Sequence, residues 1–149
     1  MIVDVAVIGA GAAGLVSAKT LLQYGIKPVV FEKSRLIGGA WNPASGRMWD
    51  SLKPNLSKYT CSFSDFQWKR GSPMFPSRTA MFDYLDSYRE EHIADSCFQF
   101  GCNVTMIEPE LDAYRVDWIE DDKTYSRWFD GVIVATGFFN TPAKTKKWG

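Results

Sequence analysis

A glycine motif near the N-terminus is the part of the 149-residue sequence that is best suited to bind a cofactor. Gly9, Gly11 and Gly14 have G-x-G-x-x-G spacing and stand between a β-branched run and a helical pattern that begins near Ala12. The first glycine permits a tight turn, the second lets the backbone approach a pyrophosphate, and the third lets the helix pack close to the strand. The free N–H groups and the positive end of the helix would then face the phosphates. This context predicts a dinucleotide-binding site.

Glu32 stands eighteen positions after Gly14, at the end of the next apolar run. An acidic side chain at about this spacing accepts hydrogen bonds from the adenosine ribose. Its carboxylate would also repel a 2′-phosphate, which argues against NADP at this site. NAD and FAD both remain compatible, because the glycine motif and the acid do not distinguish between them.

Composition and charge narrow the class of protein. The chain is 46% hydrophobic and 23% charged, which is typical of a globular domain that can bury a core. Its 17 basic and 17 acidic residues balance, so no net field would attract nucleic acid or an anionic membrane. The cysteines form no disulfide or zinc pattern, and the glycines and Asp4 in the apolar start argue against a signal peptide or a membrane span. We therefore expect a cytoplasmic protein without a metal site.

Hydrophobic patterning predicts the elements that position these residues. Helical spacing predicts one helix from Ala12 to Tyr24, and another that is capped by Ser77 or Thr79 and runs to about Cys97. Two runs at 113–119 and 124–129 flank a polar turn and predict a hairpin. The expected fold is α/β: a Rossmann-like parallel sheet with flanking helices and a small antiparallel β-hairpin layer. Short β-branched runs predict the parallel strands near residues 2–8, 28–32, 103–107 and 131–135.

Between residues 33 and 77 the regular signals fade, while Gly, Pro, Ser and Asn alternate with frequent aromatic residues. A loop of this length inside a compact domain is usually functional. The density of aromatic side chains argues against disorder. We therefore expect this stretch to form part of the site.

Several segments together resemble the flavin-containing monooxygenases, which are flavoproteins with two dinucleotide-binding domains. The stretch from Glu32 to Trp41 resembles the family's second segment, in which a glycine pair, here Gly38 and Gly39, lets the loop pass close to the ribityl-phosphate chain of the flavin. The residues after Trp41 depart from the pattern of the Baeyer–Villiger relatives. The other matching segments follow in order along the chain: Ser51–Lys58, Phe63–Phe66, Phe75–Arg78, Tyr84–Tyr88 and Asp130–Pro142.

The resemblance implies an FAD-dependent monooxygenase. In such enzymes NADPH reduces FAD, dioxygen adds to the flavin to give a C4a-hydroperoxide, and one oxygen atom passes to a nucleophilic nitrogen or sulfur of a small organic substrate. Natural-product tailoring and xenobiotic oxidation are both compatible with this chemistry. Asn55 matches the family asparagine beside the reactive edge of the flavin, where its amide could hold the peroxide oxygens or a substrate; a turn residue after Pro54 is the alternative role. The expected cofactor-binding residues are Gly9, Gly11, Ala13, Gly14, Glu32, Lys33, Gly39, Ala40, Trp41, Asn55, Val104, Ala135, Thr136 and Gly137.

The resemblance covers only the first half of the two-dinucleotide-binding-domain flavoprotein type. The sequence has neither a second G-x-G-x-x-G motif for NADPH nor the family's F-x-G-x-x-x-H-x-x-x-[Y/F] stretch, so residues 1–149 are expected to form an incomplete FAD-binding domain. Activity would then need a second polypeptide or an oligomer, and the alternative is a non-catalytic module that binds FAD or NAD. Asn55 and the Gly-Gly-x-Trp segment favour descent from an enzyme. Apolar surface near Val132–Phe139 is expected to be exposed and to promote oligomerisation.

Overall fold

A computed structural model describes residues 3–138 of the chain. Ile2 of the expected first strand and Phe139 of the expected apolar surface lie outside the described residues. The described part forms two α-helices, seven strands and three single-turn 3-10 segments. The helices and strands are β1 (Asp4–Ile8), α1 (Ala12–Gln23), β2 (Lys27–Glu32), α2 (Arg78–His92), β3 (Phe98–Phe100), β4 (Asn103–Glu110), β5 (Ala113–Glu120), β6 (Lys123–Phe129) and β7 (Gly131–Val134).

A four-stranded parallel sheet in the order β3-β2-β1-β7 forms the centre of the molecule. β1 and β2 are buried along almost their whole length, as their β-branched runs predict for strands covered on both faces. The α/β class, the flanking helices and the strands near 28–32 and 131–135 are confirmed. β1 lies in the middle of the sheet, so the glycine turn that follows it emerges between the ends of two neighbouring strands.

The prediction that residues 103–107 form the third parallel strand is wrong. The third strand is the short segment β3, and Asn103–Glu110 instead joins an antiparallel sheet in the order β4-β5-β6. Gly101 has a φ of 73° and turns the chain immediately after β3, and the N–H of Cys102 then bonds the carbonyl of Glu32 at 3.0 Å. The chain therefore leaves the parallel sheet before residue 103.

The predicted hairpin is confirmed as β5 and β6, and β4 makes its layer three-stranded rather than two-stranded. Asp121 and Asp122 both have positive φ, at 46° and 60°, which is the backbone of a type I′ turn. Asp tolerates this left-handed conformation better than most residues. The local turn chemistry thus explains why this hairpin could be predicted from the sequence.

The parallel sheet is covered by helices on one face and by the antiparallel sheet on the other. Alternate residues of β1 face opposite layers, because successive side chains of a strand point in opposite directions. Val7 packs with Leu15 and Tyr88 of the helices. Ala6 packs with Phe31 and Val116 on the side of the antiparallel sheet.

The helices begin where the sequence predicts, but α2 is shorter than expected. The Ser77 side chain accepts a hydrogen bond from the N–H of Ala80, which confirms it as the N-terminal cap. α2 ends at His92 rather than near Cys97, because Ile93 takes extended backbone angles and is buried in the core. α1 ends at Gln23, and Gly25 follows with a φ of 71°. Within the described residues, neither helix has the length and apolarity that a membrane span requires.

Candidate cofactor-binding site

Two glycines of the motif are required by the fold itself. Gly9 has a φ of 105°, and a Cβ at this position would lie 2.6 Å from the carbonyl oxygen of Ala135. A Cβ on Gly14 would overlap the carbonyl oxygen of Gly9, because α1 packs directly against the turn. The N–H of Gly9 bonds the carbonyl of Phe31 at 2.7 Å, which anchors the turn to β2.

Gly11 differs, because nothing in the described structure requires a glycine there. Its φ of −78° and ψ of −175° are extended backbone that any residue can adopt. A Cβ would lie 3.6 Å from the Cα of Gly39, an ordinary van der Waals contact. Gly11 is the N-terminal cap of α1, and it has no side chain to bond the free N–H groups of the first turn. The space beside Gly11 and Gly39, in front of the free N–H groups of the first turn of α1, is called the cradle below. It has room and hydrogen-bond donors for an anionic group.

Glu32 links the glycine turn to the segment after β2. The side chain is buried, with 8% exposure. Its Oε2 accepts from the N–H of Ala10 at 2.9 Å, and its Oε1 accepts from the N–H of Ser34 at 2.8 Å. A carboxylate has about four lone-pair sites. The two protein bonds therefore leave capacity for ribose hydroxyls.

The Gly38–Trp41 segment lies against the glycine motif. The N–H of Gly38 bonds the carbonyl of Ala10 at 2.8 Å, and a Cβ on Gly39 would lie 3.1 Å from the Cα of Gly11. Gly38 has a φ of 101°, and it also packs on Phe82 of α2, 3.0 Å from where a Cβ would stand. Two glycine segments that are distant in the sequence therefore meet. Ala40 and Trp41 continue this wall and are half-buried.

The residues after β7 close the other side of the glycine turn. The N–H of Ala135 bonds the carbonyl of Ile8 at 2.9 Å, and its own carbonyl lies beside Gly9. Thr136 and Gly137 follow at the same edge of the sheet, and Gly137 has a φ of 73°. The carboxyl edge of an open parallel sheet is where such folds bind ligands.

Three predicted residues lie at the margins of this arrangement. Ala13 is exposed in the first turn of α1, and Lys33 is exposed directly after Glu32. Val104 lies in β4, opposite Trp118 in the antiparallel sheet, so it is not in a parallel strand as expected. It stands two residues after Cys102, whose N–H bonds the carbonyl of Glu32. Contact between Val104 and the cofactor stays a prediction.

Asn55 is exposed in the long irregular stretch before α2. Within residues 3–138 its side chain makes no hydrogen bond, and its backbone lies in a bend after Pro54. Arg78 in the first turn of α2 anchors the preceding segment: Nη1 donates to the carbonyl of Met48 at 2.9 Å and Nη2 pairs with Asp50 at 2.8 Å. Arg78 therefore holds residues 48–50, which precede Asn55 in the chain, against α2. The same helix contacts Gly38 through Phe82.

Sequence reasoning missed Ser34 and Asn42, the hydrogen-bonding residues that shape the loop between Glu32 and residue 46. Asn42 is buried, with 2% exposure. The available signal was its position directly after the Gly-Gly-x-Trp segment, but an asparagine in a polar loop is ordinarily exposed. The burial depends on how the loop folds back on itself.

The site offers binding groups rather than perturbed acids or nucleophiles. Burial raises the pKa of the Cys102 thiol to about 11, so this side chain stays a neutral thiol and packs as a small apolar group. Burial also raises the pKa of Tyr88 to about 12. Among the described residues no group of three or more His, Cys, Asp or Glu side chains is arranged to hold a metal ion.

The apolar surface expected near the end of the described chain is present in part. Val134 is 64% exposed and Phe138 is 97% exposed, whereas Val132 and Ile133 are half-buried. β7 is also an edge strand of the sheet among the described residues. Oligomerisation through this surface stays a prediction.

Comparisons with known proteins show which family the chain belongs to. The family described as "Flavin-binding monooxygenase-like" matches residues 3–147. The chain is 32% identical to flavin-containing monooxygenase 1 of Rattus norvegicus, over 95% of this chain and 29% of that protein. It is 31% identical to the thiol-specific monooxygenase of Saccharomyces cerevisiae, over 92% of this chain and 34% of that protein. The chain thus spans about a third of the length of these curated relatives.

The fold is also similar to a solved S-oxygenase. S-allyl-L-cysteine S-oxygenase from Allium sativum superposes with a TM-score of 0.85 and 27% sequence identity. The superposition covers 98% of this chain and 39% of that one.

Proposed function

Because the chain belongs to the flavin-binding monooxygenase-like family, we propose that it provides the FAD-binding part of an FAD-dependent monooxygenase. The observation that carries this proposal is the cradle at Gly11, where two glycine segments meet at the uncapped start of α1 beside Glu32. Gly9 and Gly14 are explained by packing. Gly11 is not, and close approach of a ligand to the backbone would account for its lack of a side chain.

The parts of FAD would lie along this site in a definite order. Glu32 would hold the adenosine ribose, and the free N–H groups at the start of α1 would hold the pyrophosphate. Gly39, Ala40 and Trp41 on one side, and the residues from Ala135 to Gly137 on the other, would hold the flavin side of the molecule. The buried carboxylate of Glu32 disfavours a 2′-phosphate here, so NADPH would need a different site.

When bound, FAD supplies the redox chemistry that activates dioxygen. The residues of this chain bind and orient the cofactor. The amide of Asn55, which is free of other bonds within the described residues, can both donate to and accept from an oxygen atom or a substrate. Asn55 would therefore position the reacting group, once the loop that carries it meets the flavin.

The proposed substrate is a small organic molecule with a nucleophilic sulfur or nitrogen. The names of two similar proteins, a thiol-specific monooxygenase and an S-oxygenase, refer to oxidation at sulfur. NADPH would be the reductant, and natural-product tailoring is compatible with this chemistry. The binding groups for NADPH and the rest of the substrate pocket would come from a second polypeptide or from further chain.

A non-catalytic module that binds FAD or NAD is the second candidate. It is supported by Glu32, the buried ionisable side chain beside the glycine loops. Its carboxylate is already hydrogen-bonded to two backbone N–H groups, which suits it to binding rather than to proton transfer. This candidate predicts cofactor binding without oxygen chemistry.

An absorption experiment tests the proposal. The purified chain is incubated with FAD, freed of unbound cofactor, and compared with Glu32→Arg. A retained flavin spectrum that the variant loses supports the FAD site. The retained flavin is then reduced chemically, because the NADPH site is expected outside this chain, and exposed to air with a thioether and catalase. Conversion of the thioether to its sulfoxide supports the monooxygenase, whereas reoxidation of the flavin without sulfoxide supports the non-catalytic module. A folded chain that retains no flavin would contradict FAD binding by this chain.

A further inference from the structure

The loop between Glu32 and Gly46 is organised around the buried amide of Asn42. Its Nδ2 donates to the Oγ of Ser34 and to the carbonyl of Leu36, both at 3.2 Å. Its Oδ1 accepts from the N–H of Ala44 at 2.8 Å. The side chain therefore joins a segment before the glycine pair to a segment after it.

The backbone of Asn42 adds two further links. Its N–H bonds the carbonyl of Gly39 at 3.3 Å, and its carbonyl accepts from the N–H of Ser45 at 3.0 Å. Ser34 is in turn bonded through its N–H to Glu32 and through its carbonyl to the N–H of Gly101 at 3.1 Å. A continuous set of hydrogen bonds thus runs from Asn42 to the parallel sheet.

The glycine pair needs such support. Gly38 and Gly39 both have positive φ, and glycine loses more conformational freedom on ordering than any other residue. The hydrogen bonds of Asn42 hold the chain on both sides of this pair. The side chain at position 42 must donate, because the Leu36 carbonyl can only accept. It must also accept, because the Ala44 N–H can only donate.

We infer that Asn42 is a positioning residue that holds Gly38–Trp41 against the glycine motif before the cofactor binds. This inference rests on the proposed function and assigns Asn42 to the flavin side of the site. The adenosine side is held by Glu32 and the start of α1, to which the side chain of Asn42 makes no direct hydrogen bond within the described residues. Loss of the Asn42 amide should therefore weaken binding of FAD more than binding of ADP, which lacks the flavin side.

Asn42→Asp tests the inference because it keeps the size of the side chain and removes both donors. The ionised variant would place a charge beside the carbonyl oxygen of Leu36 in a buried position. Asn103→Asp is the matched control, because Asn103 is exposed and the change in charge is the same. FAD and ADP affinities are measured by titration calorimetry, and amide hydrogen exchange is measured without any cofactor.

For Asn42→Asp we expect FAD affinity to fall about tenfold, which is the effect of losing roughly one buried hydrogen bond. ADP affinity should change by less than about threefold. The N–H of Gly38 and of Trp41, which bond Ala10 and Gly38 in the parent chain, should exchange at least about tenfold faster while the strand β1 stays protected. Asn103→Asp should change none of these. Equal losses for FAD and ADP, or unchanged exchange at Gly38, would overturn the inference.

A second variant covers the case in which Asn42→Asp does not fold. Ser34→Ala removes the hydroxyl that accepts from Asn42 and that also bonds the backbone of Leu36, and it leaves the Asn42 amide in place. The same selective loss in smaller measure is expected. If the parent chain binds no FAD, the proposed function fails. The exchange measurement still decides then whether Asn42 holds the glycine pair.

Discussion

Gly11→Ala and Gly14→Ala are expected to have opposite effects on stability and on cofactor binding. At Gly14 a Cβ would overlap the carbonyl oxygen of Gly9, and this obstacle is backbone. At Gly11 a Cβ would lie 3.6 Å from the Cα of Gly39 and the backbone angles are ordinary. The first substitution therefore strains the fold, and the second fills only the cradle.

The magnitudes differ enough to measure. Alanine at the N-terminal cap position costs up to about 1 kcal/mol relative to better caps, and the reduced freedom of the unfolded chain offsets about 0.4–1 kcal/mol of this. We expect the free energy of unfolding of Gly11→Ala to stay within about 1 kcal/mol of the parent chain. Gly14→Ala should lose about 3 kcal/mol or more, because overpacking against backbone cannot relax by a change of rotamer, and its Tm should fall by roughly 10 °C.

Urea denaturation and FAD titration of the same preparations make the comparison. Gly11→Ala should keep its unfolding midpoint and lose FAD affinity by about tenfold or more, because a methyl group would occupy the space of the pyrophosphate. A Gly11→Ala chain that binds FAD like the parent chain would refute the cradle as the phosphate site. Equal destabilisation by the two substitutions would refute the steric reasoning.

Three other changes have defined outcomes. Glu32→Gln should lower the free energy of unfolding by about 1–3 kcal/mol, because one of the backbone donors now bonded by the carboxylate at Ala10 and Ser34 loses its acceptor; urea denaturation measures this. The pKa of Cys102 is raised from 9.0 to about 11, so the thiol form favours the folded state and this contribution is lost as the pH rises from about 9 to about 11. The Tm of Cys102→Ala should therefore fall less than the Tm of the parent chain as the pH rises over that range. An equal fall would contradict a raised pKa of Cys102 in the folded state. Val134→Lys should reduce self-association in sedimentation velocity by charging the exposed edge strand, and unchanged association would exclude this edge as the contact.

The local pattern of the sequence determined much of the fold and part of the site. The β-branched runs, the glycine motif and the spacing of Glu32 each involve neighbouring residues, so their interpretation needed no knowledge of distant contacts. The Asp121–Asp122 turn likewise specifies its hairpin through its own backbone angles. The glycine turn at Gly9–Gly14, where the dinucleotide site is proposed, could be predicted for the same reason.

The tertiary structure decided which segments meet. Residues 103–107 have the pattern of a buried strand, yet the turn at Gly101 carries them into the antiparallel sheet, and the three residues of β3 take the place in the parallel sheet. The approach of Gly39 to Gly11 and the burial of Asn42 arise from hydrogen bonds between segments that are far apart along the chain. Local periodicity does not encode such contacts, because their energy is gained only when the whole sheet and both helices have assembled.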